Sequence, residues 1–463
     1  MNYISTRGAS PALTFEDTML TGLAPDGGLY VPESVPVLTP EVIARMHLGT
    51  YEDAAFTVMA PFVGDTFGED EFRDIIASAY ADFGHVARAP LKQIGDGFWL
   101  IELFHGPTLA FKDFAMQLIG QIFQNVLKRN GRRITIVGAT SGDTGSAAIE
   151  AFRGLDNVDV CILYPDGRVS EVQRRQMSTP TEANVHAIAV DGTFDDCQRH
   201  LKDMFADHSF RDEVGLAAVN SINWARVMAQ IVYYFTSAVA LGAPERRMNF
   251  CVPTGNFGDI YAGEIARRMG LPIDRLIVAT NQNDILDRAL RDGEYRTGTV
   301  HPSISPSMDI QVSSNFERLL FDAYGRDGKA VAQIMQELRA DGGFTISQGA
   351  HQAILEGFSS GSVSEEETMA RIATTLEESG ELVCPHTAIG LDVAQDHHDI
   401  SLPTITLATA HPAKFPDAVE AASGIRPPLP KRMAGLYERS ERITQVANDL
   451  AAIEDVIRGK RAK

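Results

Sequence analysis

The chain has 463 residues, enough for two or three domains around a large core, and its 44% hydrophobic and 22% charged content is that of an ordinary globular protein. A net charge of −20 excludes a protein that tracks nucleic-acid phosphates with a basic surface, so an anionic ligand must be caught by a local positive site in an acidic molecule. The four cysteines, Cys161, Cys197, Cys251 and Cys384, contain no CxxC pair; Cys161 and Cys251 lie in apolar, strand-like runs and read as buried thiols, and with no signal-type apolar stretch in the opening MNYISTRGASPALTF this predicts a reducing, cytoplasmic setting without a disulfide framework.

Residues 1–85 read as a separate unit, with loops around APDGGLYVPESVP and helical patterns near 40–60 and 69–80. FWLIEL (98–103) predicts a strand. Beyond FHGPTLAFKDF (104–114), the residues Phe114, Leu118, Ile119, Ile122, Phe123, Val126 and Leu127 fall on one helical face. Strands and helices then alternate: ITIVG (134–138) before a helix over 144–153, VDVCILYP (158–165) before a helical stretch at 168–177, and NVHAIAV (184–190) before a helix near 194–207. That alternation predicts a parallel sheet with right-handed crossovers. Residues 227–244, VMAQIVYYFTSAVALGAP, carry no charge, but Gln230, Tyr233, Tyr234, Thr236, Ser237 and the closing Gly-Ala-Pro predict a buried helix of an α/β core and no membrane span. MNFCVP (248–253), a helix over 259–269 and RLIVAT (275–280) begin a second α/β series, and residues 301–315, HPSISPSMDIQVSSN, form a Pro/Ser-rich connection long enough for a functional loop or a domain crossing. A strand is expected at 403–409. Near the end, Ile443, Val446, Leu450, Ile453 and Ile457 predict one helical stripe that docks on the body or meets a partner helix.

Three stretches could hold anions. GATSGDTGSAA (138–148) follows a strand and opens a helix, so Gly138, Gly142 and Gly145 can turn backbone N–H groups toward one point at the positive end of the helix dipole. VPTGNFGDIYAG (252–263) repeats that order, with Gly255 and Gly258 around Asn256 and Phe257. It is neither a GxGxxG fingerprint nor a Walker A loop, and its short spacing suits a phosphate monoester. Asp259 is a natural helix cap that fits beside a phosphate only if it points away. NSINWAR (220–226) offers the neutral donors Asn220, Ser221 and Asn223 with the fork-shaped cation Arg226. Taken singly, each has a plain structural alternative: a tight turn, or a helix cap plus a surface arginine.

Lys112 connects them. It sits among Phe104, Leu109, Phe111 and Phe114 where a helix begins, a place that favours negative charge. Desolvation and the helix start both depress a lysine's pKa, as a Schiff-base lysine requires. One Gly loop then holds the phosphate of a pyridoxal cofactor and the other the carboxylate of an amino acid. The alternative is a snorkelling surface lysine paired with Asp113.

The segments FHGPTLAFKDF, GATSGDTG, NSIN, PTGNFGDIYAG, SPSMDIQVSSNFERLLF and CPHTAIG, in this order, resemble the threonine synthase family, and TMLTGLAPDGGLYVPE resembles its longer branch. The resemblance spans nearly the whole chain. It implies a fold-type II pyridoxal 5'-phosphate enzyme, tryptophan synthase β-like, with two α/β domains of mainly parallel sheet, an N-terminal domain and a C-terminal helix. The implied division is an N-terminal domain at 1–85, a large cofactor-binding domain at 86–130 and 213–430, a small domain with the substrate loop at 131–212 and a helical tail at 431–463. The implied reaction converts O-phospho-L-homoserine and water to L-threonine and phosphate, by γ-elimination and β-addition. By motif, Lys112 bonds the cofactor, and Gly255, Asn256, Phe257 and Gly258 bind its phosphate. Ser141, Gly142, Asp143 and Thr144 form the substrate loop, with Asp143 where many relatives place Asn beside the cofactor's phenolic oxygen. Asn220, Ser221, Arg226 and Thr144 grip the substrate phosphate, and Thr409 offers a hydroxyl to the ring nitrogen. Lys414, His386 and Thr387 carry no assigned role. His397 and His398 read as a solvated loop, no metal is implied, and the expected assembly is a monomer or homodimer without nucleic-acid or membrane partners. A serine/threonine dehydratase, a sulfhydrylase or a catalytically silent ligand-binding relative remain the rival readings; a nicotinamide-dependent dehydrogenase lacks its fingerprint here.

Overall fold

The computed structural model describes residues 1–217 and 219–460. Two sheets organise it. The larger has six strands in the order Phe358–Ser362, Ile273–Thr280, Met248–Pro253, Thr404–Ala408, Phe98–Glu102 and Leu91–Gly95, all parallel except the last, which pairs antiparallel as an edge. The second has five parallel strands in the order Ile443–Val446, Val185–Val190, Val158–Pro165, Ile134–Ala139 and Leu216–Ala217. Val158–Pro165 and Met248–Pro253 are buried at every residue. A strand covered by helices on both faces needs that unbroken apolar run, which is why both were legible without alternation.

The charge-free stretch is the helix Trp224–Ala240, buried along most of its length and packed against Tyr51–Val63, Lys112–Asn130 and Gly258–Arg268. Among the described residues no helix is long and apolar enough to cross a membrane. All four cysteines are buried and free.

The chain end corrects one expectation. Ile443–Val446 is a strand, not the start of a helix, and it pairs in parallel with Val185–Val190. Ile443, Thr444 and Val446 are β-branched, and a strand edge was available to them. The helix is Leu450–Lys460, whose Ile453 and Ile457 are fully buried in a cluster with Cys161, Leu163, Met204 and Phe210. The five-stranded sheet therefore gathers two segments beyond residue 212, at 216–217 and 443–446.

The N-terminal region pairs Tyr3–Ser5 with Tyr30–Pro32 and adds the helices Pro40–Arg45, Tyr51–Val63 and Glu69–Tyr80. Its tie to the body is partly ionic: Thr6 Oγ1 and Arg7 Nη2 donate to the Glu317 carboxylate at 2.6 and 2.9 Å. Four helices, Lys112–Asn130, Asp143–Phe152, Gly258–Arg268 and Pro385–Asp396, begin in the site region, and Asp143–Phe152 and Gly258–Arg268 directly follow the carboxyl ends of parallel strands. Open α/β sheets bind ligands at that edge.

Candidate active site

Lys112 is the first residue of its helix, and the loop before it is pinned on both sides. Phe111 N donates to Thr409 O at 2.8 Å and His411 N to Leu109 O at 3.0 Å, so residues 109–111 run against 409–411. Asp113 turns the other way, accepting from Thr108 N at 2.8 Å and Thr108 Oγ1 at 2.6 Å. Lys112 is therefore not paired with Asp113 and does not snorkel: it is 8% exposed, with Nζ 4.7 Å from the Phe111 ring centroid and 3.4 Å from Asp143 Oδ2. Burial lowers its pKa; Asp143 opposes that, and the Lys414 and Arg226 charges reinforce it.

Asp143 opens the helix Asp143–Phe152 after a turn in which Thr140 Oγ1 accepts from Gly142 N and Gly145 N, both at 2.9 Å. Gly142 has φ +136°, a region open to glycine, and an added Cβ would overlap the Gln173 side-chain amide. That amide donates to Asp143 Oδ1 at 3.0 Å, Lys414 Nζ lies 2.8 Å from the same oxygen, and Ser307 Oγ is 3.4 Å from Oδ2. Burial works against ionisation of Asp143, but Lys414 and Lys112 outweigh it and hold the carboxyl far below its usual range. Ser141 and Thr144 flank it, both partly accessible.

Gly255–Gly258 sits between strand and helix as expected. Phe257 is in the left-handed region at φ +61°, a strained choice for an aromatic residue that persists where surroundings fix it. Gly255 O accepts from Ser313 Oγ at 2.6 Å, and Asn256 O from Asn315 Nδ2 at 2.8 Å. Asp259 points away, toward the Tyr233 and Tyr234 hydroxyls at 2.5 and 3.0 Å, and burial raises it to about 6. The condition for a phosphate beside it is met.

In the third stretch, Asn223 caps the helix Trp224–Ala240 through Ala225 N, and Ser221 O accepts from Asn315 Nδ2 at 3.1 Å. Asn220 is exposed. Arg226 is 4% exposed, its Nη1 has no hydrogen-bond partner, and among the described residues it forms no ion pair. Burial brings it down to about 10. Thr409 is buried just past Thr404–Ala408, beside Lys112 in the 109–111 pairing.

Several groups at this site were not assigned from the sequence. Lys414 is completely buried and also donates to Thr108 O at 2.9 Å. His386 is 4% exposed with neither ring nitrogen bonded, and burial lowers it to about 4. Gln173 reads locally as the fourth residue of a capping box begun by Ser170, and it serves that role while reaching Asp143. Ser307 comes from the 301–315 connection, whose folded form rests on Asp309 accepting from Ser303, Asn281 and Asn283. His397 and His398 lie elsewhere, on Ser360 O and the Phe98 ring. Among the described residues no cluster of His, Cys, Asp or Glu is arranged for a metal ion. An apolar cavity of about 190 Å³, lined by Leu23, Ile222, Tyr295, Phe316, Leu338 and Phe344 among others, includes none of the site's charged groups.

The donors suit a phosphate-bearing aldehyde: a buried amine of lowered pKa, a glycine cradle at a helix start with its nearest carboxylate turned away, and a second buried cation awaiting an anion.

Comparison with known proteins agrees. Residues 2–80 match the family model "Threonine synthase N terminus", 84–341 "Pyridoxal-phosphate dependent enzyme" and 387–457 "Threonine synthase, C-terminal". The threonine synthase of Pseudomonas aeruginosa is 54% identical, with all of both chains covered. The crystal structure of PLP-bound threonine synthase from Brucella melitensis superposes with a TM-score of 0.98 at 52% identity, covering 100% of each chain, and the yeast threonine synthase with 0.94 at 39%, covering 99% of this chain and 98% of that one. The chain belongs to the threonine synthase family of pyridoxal-phosphate-dependent enzymes.

Proposed function

We propose that this protein converts O-phospho-L-homoserine and water to L-threonine and phosphate, with Lys112 as the amine that bonds pyridoxal phosphate. The observation that supports it most is Arg226, a buried guanidinium without a carboxylate partner among the described residues, close enough to Lys112 to influence it. A dehydratase acting on an unphosphorylated hydroxy amino acid has no phosphate to give that residue once the substrate carboxylate is held elsewhere.

In this reading the backbone at Gly255, Asn256, Phe257 and Gly258 holds the cofactor phosphate, and Thr409 offers its hydroxyl to the ring nitrogen. Asp143 stands by the phenolic oxygen. The unit at 131–212 carries the substrate loop, and 86–130 with 213–430 carries the cradle. Bound pyridoxal phosphate supplies an electron sink that makes the Cα proton of an amino acid removable. Lys112 Nζ, free while the substrate is bound, would accept that proton and, after handing it on, take one from Cβ. Burial, with the Lys414 and Arg226 charges, lowers its pKa and so favours the neutral state this needs. Ser141, Gly142 and Thr144 hold the substrate carboxylate at the N-terminus of Asp143–Phe152. Arg226, with Thr144, Asn220 and Ser221, binds the γ-phosphate and stabilises the charge that grows on it as the Cγ–O bond breaks. The proton taken from Cβ would be delivered to Cγ, hydroxide from water would add at Cβ with the water's other proton going to the departing phosphate, and Lys112 Nζ would return a proton to Cα.

The test is incubation with O-phospho-L-homoserine, following phosphate release and the visible absorbance of the bound cofactor together. Wild type should release phosphate and form threonine. Lys112→Ala should abolish turnover and lose the visible band of the lysine-bound cofactor; an active Lys112→Ala enzyme ends the assignment.

A further inference from the structure

Asp143 has two lysines against it, and they are not equivalent. Lys414 Nζ is 2.8 Å from Oδ1 and wholly buried, while Lys112 Nζ is 3.4 Å from Oδ2. Lys414 is also the more firmly held. Its Nζ donates to Thr108 O, its backbone N donates to His411 O at 3.0 Å, and its carbonyl accepts from Ser170 Oγ at 3.0 Å. Ser170 caps the helix Glu171–Ser178, which supplies Gln173 to Asp143 and Gln176 to Thr108 O. Thr108 in turn is capped by Asp113, the neighbour of Lys112. Lys414 thus joins the loop that presents Lys112 to the turn that presents Asp143.

A buried carboxylate whose sole countercharge is one lysine keeps that lysine protonated, because losing the proton strands the carboxylate. Lys112 has to lose its proton to react. We propose that Lys414 is a positioning residue, the standing countercharge of Asp143, which lets Lys112 become a neutral nucleophile without leaving a buried carboxylate alone. This inference rests on Lys112 being the cofactor-bonding amine.

The groups that face Lys112 are consistent with that division. Asp143 favours its proton, whereas Lys414 and Arg226 oppose it. His386 is neutral at physiological pH, and Asp259 is engaged by the Tyr233 and Tyr234 hydroxyls. Removing Lys414 therefore acts twice on Lys112: a repelling charge disappears, and Asp143 is left with Lys112 alone.

The experiment uses the full chain freed of cofactor. Pyridoxal 5'-phosphate is added across neutral to alkaline pH, the rate of growth of the visible band is recorded, and the adduct is trapped with borohydride and located by peptide mass mapping. In wild type the adduct should map to Lys112, with a rate midpoint below that of an exposed lysine. Lys414→Met should move the midpoint up by about one pH unit, or about tenfold less free amine at a fixed pH below it. Lys414→Gln, which keeps a donor for Thr108 O, should shift it the same way and carries the test if the methionine variant does not fold. Lys414→Arg should stay near wild type, and in an Asp143→Asn background the shift from Lys414→Met should shrink. An adduct at Lys112 with an unshifted midpoint in both uncharged variants overturns this inference and leaves the functional reading standing. An adduct at Lys414, or none at Lys112, overturns the functional reading itself.

Discussion

Arg226→Met removes a cation that the ligand-free protein holds at a cost. The side chain is 4% exposed, forms no ion pair among the described residues and is brought down from the ordinary guanidinium range to about 10 by burial. That difference corresponds to roughly 3 kcal/mol of lost preference for the charged form. For a cation whose folded pKa is depressed, the unfolded chain binds the proton more tightly, so the destabilisation is fully present below about pH 10 and eases only as pH rises beyond it. Methionine fills much of the same volume without a charge. The ligand-free variant should therefore unfold at the same temperature as wild type or higher. Function should go the other way. Losing a buried charged contact to a phosphate costs about 3–4 kcal/mol, or roughly two to three orders of magnitude in kcat/KM for phosphohomoserine. Thermal unfolding with and without inorganic phosphate, beside a phosphate-release assay, reads both. Phosphate should raise the wild-type Tm by more than the variant's, which keeps the cradle at Gly255–Gly258. A variant that loses several degrees without phosphate yet keeps its kcat/KM would refute the reasoning, because Arg226 would then be a packing residue.

Gly142→Ala forces a side chain into a φ of +136° and onto the Gln173 amide, so it should cost about 1–3 kcal/mol in unfolding experiments. By moving Gln173 off Asp143 it should also lower turnover about 10²-fold, which a steady-state assay would show. His411, held at about 4 mainly by burial with Arg432 and His105 adding to it, binds fewer protons folded than unfolded between that pH and 6.5. Stability should therefore fall by roughly 3 kcal/mol as pH drops through the window, and His411→Asn, which keeps an acceptor for Ala413 N, should flatten that part of the curve in urea titrations at stepped pH.

What was readable in the sequence is what local chemistry decides. Val158–Pro165 and Met248–Pro253 are continuous apolar runs, and the structure makes each a strand over the same residues. Lys112 was visible because a lysine among phenylalanines at a helix start is locally anomalous. The failures have the opposite character. Ile443–Val446 is too short to declare itself, and only the free edge at Val185–Val190 makes it a strand. Gln173 has a complete local explanation as a capping residue, which hides its second bond to Asp143. Arg226 was a candidate phosphate ligand, but the local pattern left a surface cation equally open, because its burial is set by helices distant in sequence. Lys414 meets Asp143 only because the 109–111 and 409–411 segments pair.

The arrangement of charge also argues for which substrate is accepted. The chain carries a net −20, yet Lys112, Lys414 and Arg226 converge where, among the described residues, Asp143 is the carboxylate held far below its usual range, Asp113 being raised by burial and bonded to Thr108, Asp259 turned to tyrosine hydroxyls and His386 neutral. Asp143 accounts for one cation, and it takes Lys414. In the proposed reading the cofactor's phosphate has its own cradle of backbone N–H groups at Gly255–Gly258. Arg226 is then left for the substrate. An amino acid with a plain hydroxyl in place of the phosphate ester would leave that guanidinium buried without a partner, and a site built around a polar group rejects an analogue lacking it far more strongly than it rejects a change of size. On the proposed role of Arg226, selection for the phosphorylated substrate comes from the cost of the misfit, and it should persist in variants that repack the apolar walls while keeping Arg226.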